Sequence, residues 1–316
     1  MPIEKFYEQL GPEKVARLKL PYKDLNEWFV QNPFLTKEEV ERTVVGLTDI
    51  SKEHNKNLKK NFLDLDFDGD TDGLKIVSNT PWPTLNSMLG LYEGQTTGLL
   101  APSGRGKSTW RQQLSVYAAT NGCRVGLVSL EGTRHALSRK IKDIIKNGGY
   151  ENKINLIKEN LSISSLEGSR VSWKSCLSEL GIMISQGCKL LIFDNPDFVC
   201  RDDNQAKIQC YAELIEQARA FGVHTIVVWQ PNKIDRNAVV NSGNQKGYSQ
   251  SFQDSDNYIN LNIVKGKTVL EVEKNREHGV SGNNLVWLKF DEKSRSFYET
   301  VSADVSTNII DLRALR

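Results

Sequence analysis

Four features at separate places in the chain could together handle a nucleoside triphosphate. They are a lysine in a glycine-bearing loop, an aspartate and a glutamate each at the end of an apolar run, and a lysine and arginine separated by one residue. The loop reads Ala101-Pro102-Ser103-Gly104-Arg105-Gly106-Lys107-Ser108-Thr109. It follows the apolar run Thr96-Thr97-Gly98-Leu99-Leu100 and precedes a helical pattern beginning at Trp110. In a strand–loop–helix of this kind, backbone N–H groups and the helix N-terminus wrap phosphate oxygens. Lys107 reaches the β- and γ-phosphates, and the Ser108 hydroxyl ligates Mg²⁺. Alanine stands at position 101 where glycine is usual; a small residue with ordinary φ serves there.

Asp194 ends the apolar run 189–193, where an open α/β sheet binds its ligands. It is a candidate metal ligand, either directly or through water. Its alternative role is to start a turn before Pro196. Glu131 ends the run 124–130 and could orient and deprotonate an attacking water. A helix-start acid near Thr133 is a compatible reading. Gln230 ends the run 223–229, and its amide could contact the γ-phosphate; the alternative is a simple turn residue. Lys274 and Arg276 lie on one face of an expected strand. They could donate charge to a transition state or decorate a solvated edge.

The elements that must position these residues follow from patterning. Strands are expected near 96–101, 124–130, 189–194, 223–229, 258–264, 268–275 and 285–290. Helices are expected near 107–120, 133–147, 174–186 and 204–221. Strands alternating with helices imply a parallel core, and late strands without helices imply an antiparallel extension.

These segments in this order resemble the motor domain of replicative hexameric helicases, the DnaB group, above all the phage primase–helicases and their Twinkle relatives. The matching segments are 101–109, Ser129-Leu130-Glu131, the strand to Asp194 and the strand to Gln230. Residues 247–256 with Phe252-Gln253-Asp254-Ser255-Asp256 follow, then Lys274-Asn275-Arg276 with Gly279 and Gly282. The resemblance covers roughly 76–300. It implies a RecA-like α/β P-loop fold, hydrolysis of ATP or another NTP or dNTP with Mg²⁺, and a homo-oligomeric ring, a hexamer. It also implies single-stranded DNA in the channel, with primase and DNA polymerase as partners during replication. Lys274 and Arg276 match the positions that reach the next subunit's nucleotide, and Phe290 matches a position that stacks on the base. Core packing accounts for Phe290 equally well.

Other readings carry different weight. The long polar loop 231–250 holds Lys233, Arg236 and Lys246, which could neutralise phosphates of a single strand. A flexible loop with scattered charge is the plain alternative. Residues 1–44 carry Lys23-Asp24-Leu25-Asn26-Glu27 after Val15 to Pro21 and resemble the end of a toprim primase domain. The catalytic acids of such a domain would precede this chain's start, so primer synthesis is not expected; a small helical cap is the alternative. Residues 45–75 form a linker with a possible subunit-packing helix at 38–47 or 50–58. Asp64, Asp66, Asp68 and Gly69 mimic a calcium loop, but Lys75 occupies its twelfth position. The motor domain is placed at 76–303 and a tail at 304–316.

Composition sets limits. In 316 residues, 39% are apolar and 25% charged, within the range of soluble globular chains. A net charge of +2 gives no general polyanion affinity, so nucleic-acid contact must be local. The five cysteines form no Cys-x-x-Cys pair, which argues against zinc and for a reducing cytoplasm, that of the host if the chain is phage-encoded. No apolar stretch is long enough for a bilayer. Two other functional classes remain in view. One is a RecA- or KaiC-like DNA-dependent ATPase, a recombinase or regulator, without unwinding. The other is a nucleotide-gated adaptor, against which the complete set Lys107, Glu131 and Asp194 argues.

Overall fold

Runs of β-branched and leucine residues, buried on both sides, build the centre of this protein. The computed structural model describes residues 74–166, 171–200, 203–232, 238–246, 250–264, 266–280 and 284–300. In chain order, the elements are β1 (Ile76–Ser78), α1 (Pro83–Met88), β2 (Leu91–Tyr92), β3 (Thr96–Leu100), α2 (Lys107–Thr120), β4 (Val125–Ser129) and α3 (Arg134–Asn147). They continue with α4 (Ile154–Asn160), β5 (Leu161–Ser165), α5 (Trp173–Ser185), β6 (Leu190–Asp194), α6 (Pro196–Cys200), α7 (Asn204–Phe221) and β7 (His224–Trp229). The last are α8 (Ser251–Asp254), β8 (Asn257–Val264), β9 (Lys267–Asn275), β10 (Leu285–Asp291) and β11 (Ser296–Glu299).

Nine strands make one sheet in the order β11-β10-β9-β8-β3-β7-β6-β4-β5. From β8 to β5 neighbouring strands are parallel, and β9, β10 and β11 extend the sheet antiparallel. The expected mixed α/β architecture is therefore the observed one. The expectations for 1–44, most of 45–75 and the tail 304–316 lie outside the described residues.

Side chains alternate between two helical layers with the strand period of two. Leu99, Leu127, Ile192, Val228 and Ile259 face one core with α2, α3 and α4. Leu100, Val128, Phe193, Val227, Trp229 and Tyr258 face the other with α5 and α7. The phosphate-loop helix α2 is buried on most sides, Leu114, Val116, Ala118 and Ala119 being fully covered. It is also clamped to the sheet's far edge. Gln113 of α2 donates from Nε2 to the Phe297 carbonyl at 2.7 Å and accepts the Phe297 N–H at 2.7 Å. Trp82 stacks on Trp110 at 5.2 Å and donates its indole N–H to the same carbonyl.

Two boundaries are set by local chemistry. The Thr133 hydroxyl caps α3 by accepting the Ala136 N–H. Asp203 caps α7 in the same way, and Gly222 ends that helix at φ 55°. The strands β1, β2, β5 and β11 are additions to the sequence reading. They are short, and β5 is an edge strand whose Ile163 is exposed.

Candidate nucleotide site

The parallel strands place their C-terminal ends side by side, and every candidate for phosphate or metal chemistry except Lys274 and Arg276 sits there. The register aligns Ser129, Asp194 and Val228 across β4, β6 and β7, and Leu100 with Trp229 across β3 and β7. The phosphate loop, Gln230, Asp194 and Glu131 thus form one row in the order of their strands.

The loop 101–109 has the backbone such a cradle needs. Gly104 and Gly106 adopt φ of 78° and 94°, a region open to glycine and strained for other residues. At Gly106 a Cβ would also meet the Phe297 ring at 2.5 Å. Ala101 is buried and is not among the residues with positive φ, so alanine serves there without strain. Ser103 and Gly104 are exposed, while Pro102, Arg105, Ser108 and Thr109 are half-buried. Lys107 is 5% exposed, and its Nζ has no hydrogen-bond partner within the chain. A buried ammonium without acceptors matches a site whose acceptors come with a phosphate.

Asp194 is fully buried, which removes the reading of a surface turn. Its carboxylate faces the Arg111 guanidinium at 2.9 Å. Burial pushes its pKa up, Arg111 pulls it down, Glu131 pushes it up and Lys107 pulls it down. Arg111, 1% exposed, also donates to the Ser129 hydroxyl at 3.1 Å. The Glu131 Oε1 accepts from the Asn195 amide at 2.9 Å and the Gln230 amide at 2.5 Å. Glu131 is therefore placed as more than a helix-start acid, and the amides that follow β6 and β7 fix its orientation. The Gln230 carbonyl accepts the Lys246 N–H at 2.9 Å, which joins Glu131 to the loop beyond β7.

Among the described residues no three His, Cys, Asp or Glu side chains converge as a metal cluster. Mg²⁺ fits this donor set in another way, held by Ser108 and Asp194 with phosphate oxygens and water completing six ligands. One buried carboxylate beside one hydroxyl suits that coordination.

Phe290 is 42% exposed and meets Phe297 edge-on at 5.4 Å, so core packing does not explain it. Since Phe297 lies against Gly106, Phe290 stands beside the phosphate loop with an open ring face.

Lys274 and Arg276 are elsewhere. Antiparallel pairing sets Asn275 beside Asn257, and Asn257 pairs with Thr97, so the end of β9 lies at the start of β3. The length of β3 separates this end from the phosphate loop by roughly 16 Å. The Lys274 ammonium donates to the carbonyls of Phe252, Gln253 and Ser255 at 2.7–2.8 Å, which accounts for all three of its hydrogens. Desolvation, then Arg276, holds its pKa below the ordinary lysine value. Arg276 donates to Asp256 Oδ1 at 2.8 Å and to the Gln253 carbonyl at 3.1 Å, and its side chain stays 47% exposed. Lys246 is exposed beyond Gln230. Lys233 and Arg236 lie outside the described residues.

Arg111 and Asn195 are site residues that motif reading passed over. Arg111 carried a signal: it follows Lys107 by four, on the same helical face. Asn195 carried none beyond its adjacency to Asp194.

No family model matches the sequence, and no curated protein matches it. The fold does match solved structures. A KaiC-like protein from the hyperthermophilic archaeon Pyrococcus horikoshii OT3 superposes with a TM-score of 0.55 at 16% identity, over 72% of this chain and 100% of that one. The ATPase domain of a helicase superposes with a TM-score of 0.53 at 15% identity, over 66% of this chain and 86% of that one. At such identities the likeness is one of fold, and the fold is that of RecA-like P-loop ATPases.

Proposed function

We propose that this chain hydrolyses ATP or another nucleoside triphosphate as one subunit of a ring that translocates on single-stranded DNA, a replicative helicase motor. The observation that carries the reading is the separation of Arg276 from its own phosphate loop. A half-exposed guanidinium about 16 Å from that loop cannot serve the chain's own γ-phosphate. It can serve a neighbour's in a head-to-tail ring. Lys107 and the loop amides bind the phosphates, and Glu131, held by Asn195 and Gln230, orients and deprotonates water. Arg276 neutralises charge developing on the neighbour's γ-phosphate. Mg²⁺ held by Ser108 and Asp194 would supply charge neutralisation at the β- and γ-oxygens.

The reading extends to DNA through Gln230. Its contacts to Glu131 and to the Lys246 backbone support a loop that responds to the phosphate site and touches DNA through Lys233, Arg236 and Lys246. The likeness to a KaiC-like protein favours a second reading, a ring ATPase that regulates without unwinding. Stimulation of hydrolysis by single-stranded DNA separates the two.

Sharing of the site is tested by mixing. Arg276→Ala and Lys107→Ala should each lose about three orders of magnitude in hydrolysis. In an equal random mixture, about a quarter of head-to-tail interfaces pair an intact loop with an intact arginine. Activity should return at that level. Rings that mix but stay inactive at every ratio would exclude Arg276 acting on a neighbour.

A further inference from the structure

The carboxylate that holds Arg276 also holds the strand that leads to the phosphate loop. Asp256 is 5% exposed. Its Oδ1 accepts from Arg276 Nη1 at 2.8 Å, while Oδ2 accepts the Thr96 N–H at 2.8 Å and the Thr96 hydroxyl at 3.2 Å. The backbone repeats the link: the Asp256 N–H donates to the Thr96 carbonyl, and the Arg276 N–H donates to the Asp256 carbonyl. Thr96 is the first residue of β3, whose other end is the phosphate loop. One buried side chain therefore ties the exposed arginine to the strand that carries the chain's own nucleotide site.

We infer that Asp256 is the positioning residue for Arg276, aiming its guanidinium across the subunit boundary. The inference rests on the shared-site reading above. Two of the five guanidinium donors are engaged, one by Asp256 and one by the Gln253 carbonyl. Three remain for a phosphate. A carboxylate on one edge of the guanidinium fixes its plane as a planar, charge-assisted contact can. Lys274 supports the same arrangement from beneath by binding three carbonyls of the 252–255 segment, so the floor on which Asp256 stands is itself fixed.

Asp256→Asn separates the two halves of this link. The amide oxygen can still accept the Thr96 N–H, which leaves the NH₂ group facing the guanidinium, donor against donor. The chain should bind nucleotide with unchanged KM, and kcat should fall about 10- to 100-fold, as for a reacting group misplaced by about an ångström. The mixing pattern identifies the cause. Asp256→Asn with Lys107→Ala should regain activity, because the latter supplies a well-aimed arginine. Asp256→Asn with Arg276→Ala should regain none, because neither does. Recovery in that second mixture, an unchanged kcat, or loss of nucleotide binding or ring assembly in Asp256→Asn each overturns the assignment. The shared-site reading stands or falls separately, on the mixture of Arg276→Ala with Lys107→Ala.

Discussion

The two ends of the parallel strands treat buried polar groups in opposite ways. At the C-terminal end, Lys107 Nζ has no partner, Arg111 leaves Nε and Nη1 without hydrogen bonds, and the Asp194 carboxylate relies on one ion pair. At the N-terminal end, Asp256 engages both oxygens, Lys274 all three hydrogens and His224 both ring nitrogens. Buried groups that lack partners cost stability unless a ligand supplies them. The first end is thus suited to phosphate and metal, and the second to a fixed internal geometry. Mutations at the first should trade stability against ligand binding, whereas mutations at the second should change stability or aim without changing nucleotide affinity.

The largest break in that contrast is expected from Arg111→Leu. The variant leaves Asp194 buried without its countercharge, and losing one partner of a buried pair costs about 3–5 kcal/mol. Urea unfolding at neutral pH should show that loss. Adding Asp194→Asn should recover part of it, since the uncompensated charge is gone, yet the double variant should lose Mg²⁺-dependent hydrolysis. If the single variant is as stable as the parent, the site end is not electrostatically dependent on Arg111, and the contrast between the two ends fails there.

A smaller effect sharpens the other side. His224 is completely buried, and its pKa is pushed down to about 4, first by burial, against the opposing pull of the Tyr92 carbonyl and Asp256. Its Nδ1 donates to the Tyr92 carbonyl at 2.9 Å, so in the neutral ring Nε2 accepts from the Thr97 hydroxyl at 2.9 Å. The unfolded chain takes up this proton near pH 6.5, the folded chain only near 4. The neutral form therefore stabilises the fold above pH 6.5, and that contribution is lost as pH falls from 6.5 toward 4. At most it amounts to about 3 kcal/mol. His224→Gln should remove this part of the acid sensitivity, seen as a shallower loss of unfolding free energy between about pH 7 and pH 4.5. Equal slopes in the two proteins would mean that the histidine is not held neutral.

What was legible in the sequence follows the same physics. The strands of the parallel core announced themselves because both their faces are buried, as in Leu190–Asp194 and His224–Trp229. Strand tips then pointed to Glu131, Asp194 and Gln230, since ligands bind where such strands end. The short strands β5 and β11 and the short helices α1, α4, α6 and α8 had too few residues to show a period. Partners across the sheet were hidden for a different reason. That Asn195 and Gln230 meet at Glu131 depends on the order β7-β6-β4, which no local pattern encodes. Lys274 and Arg276 looked alike as cations on one strand face. Only the packing of 252–256 against that face distinguishes a lysine with every hydrogen engaged from an arginine with donors to spare.

The smallest expected effect tests how far the nucleotide end extends along the sheet. Phe290 pairs with Phe297 across β10 and β11, and the Phe297 ring lies where a side chain at Gly106 would go. The buried member, Phe297, is part of the fold, while the exposed Phe290 offers a ring face next to the loop that would hold phosphates. An aromatic contact of this kind contributes about 0.5–1.5 kcal/mol beyond area burial. Phe290→Ala should therefore raise the nucleotide KM by about two- to tenfold, with kcat and unfolding free energy little changed. Phe290→Tyr or Phe290→Trp should restore it, because the ring face is retained. An unchanged KM in Phe290→Ala would confine the nucleotide site to the strand tips and leave Phe290 an exposed edge residue.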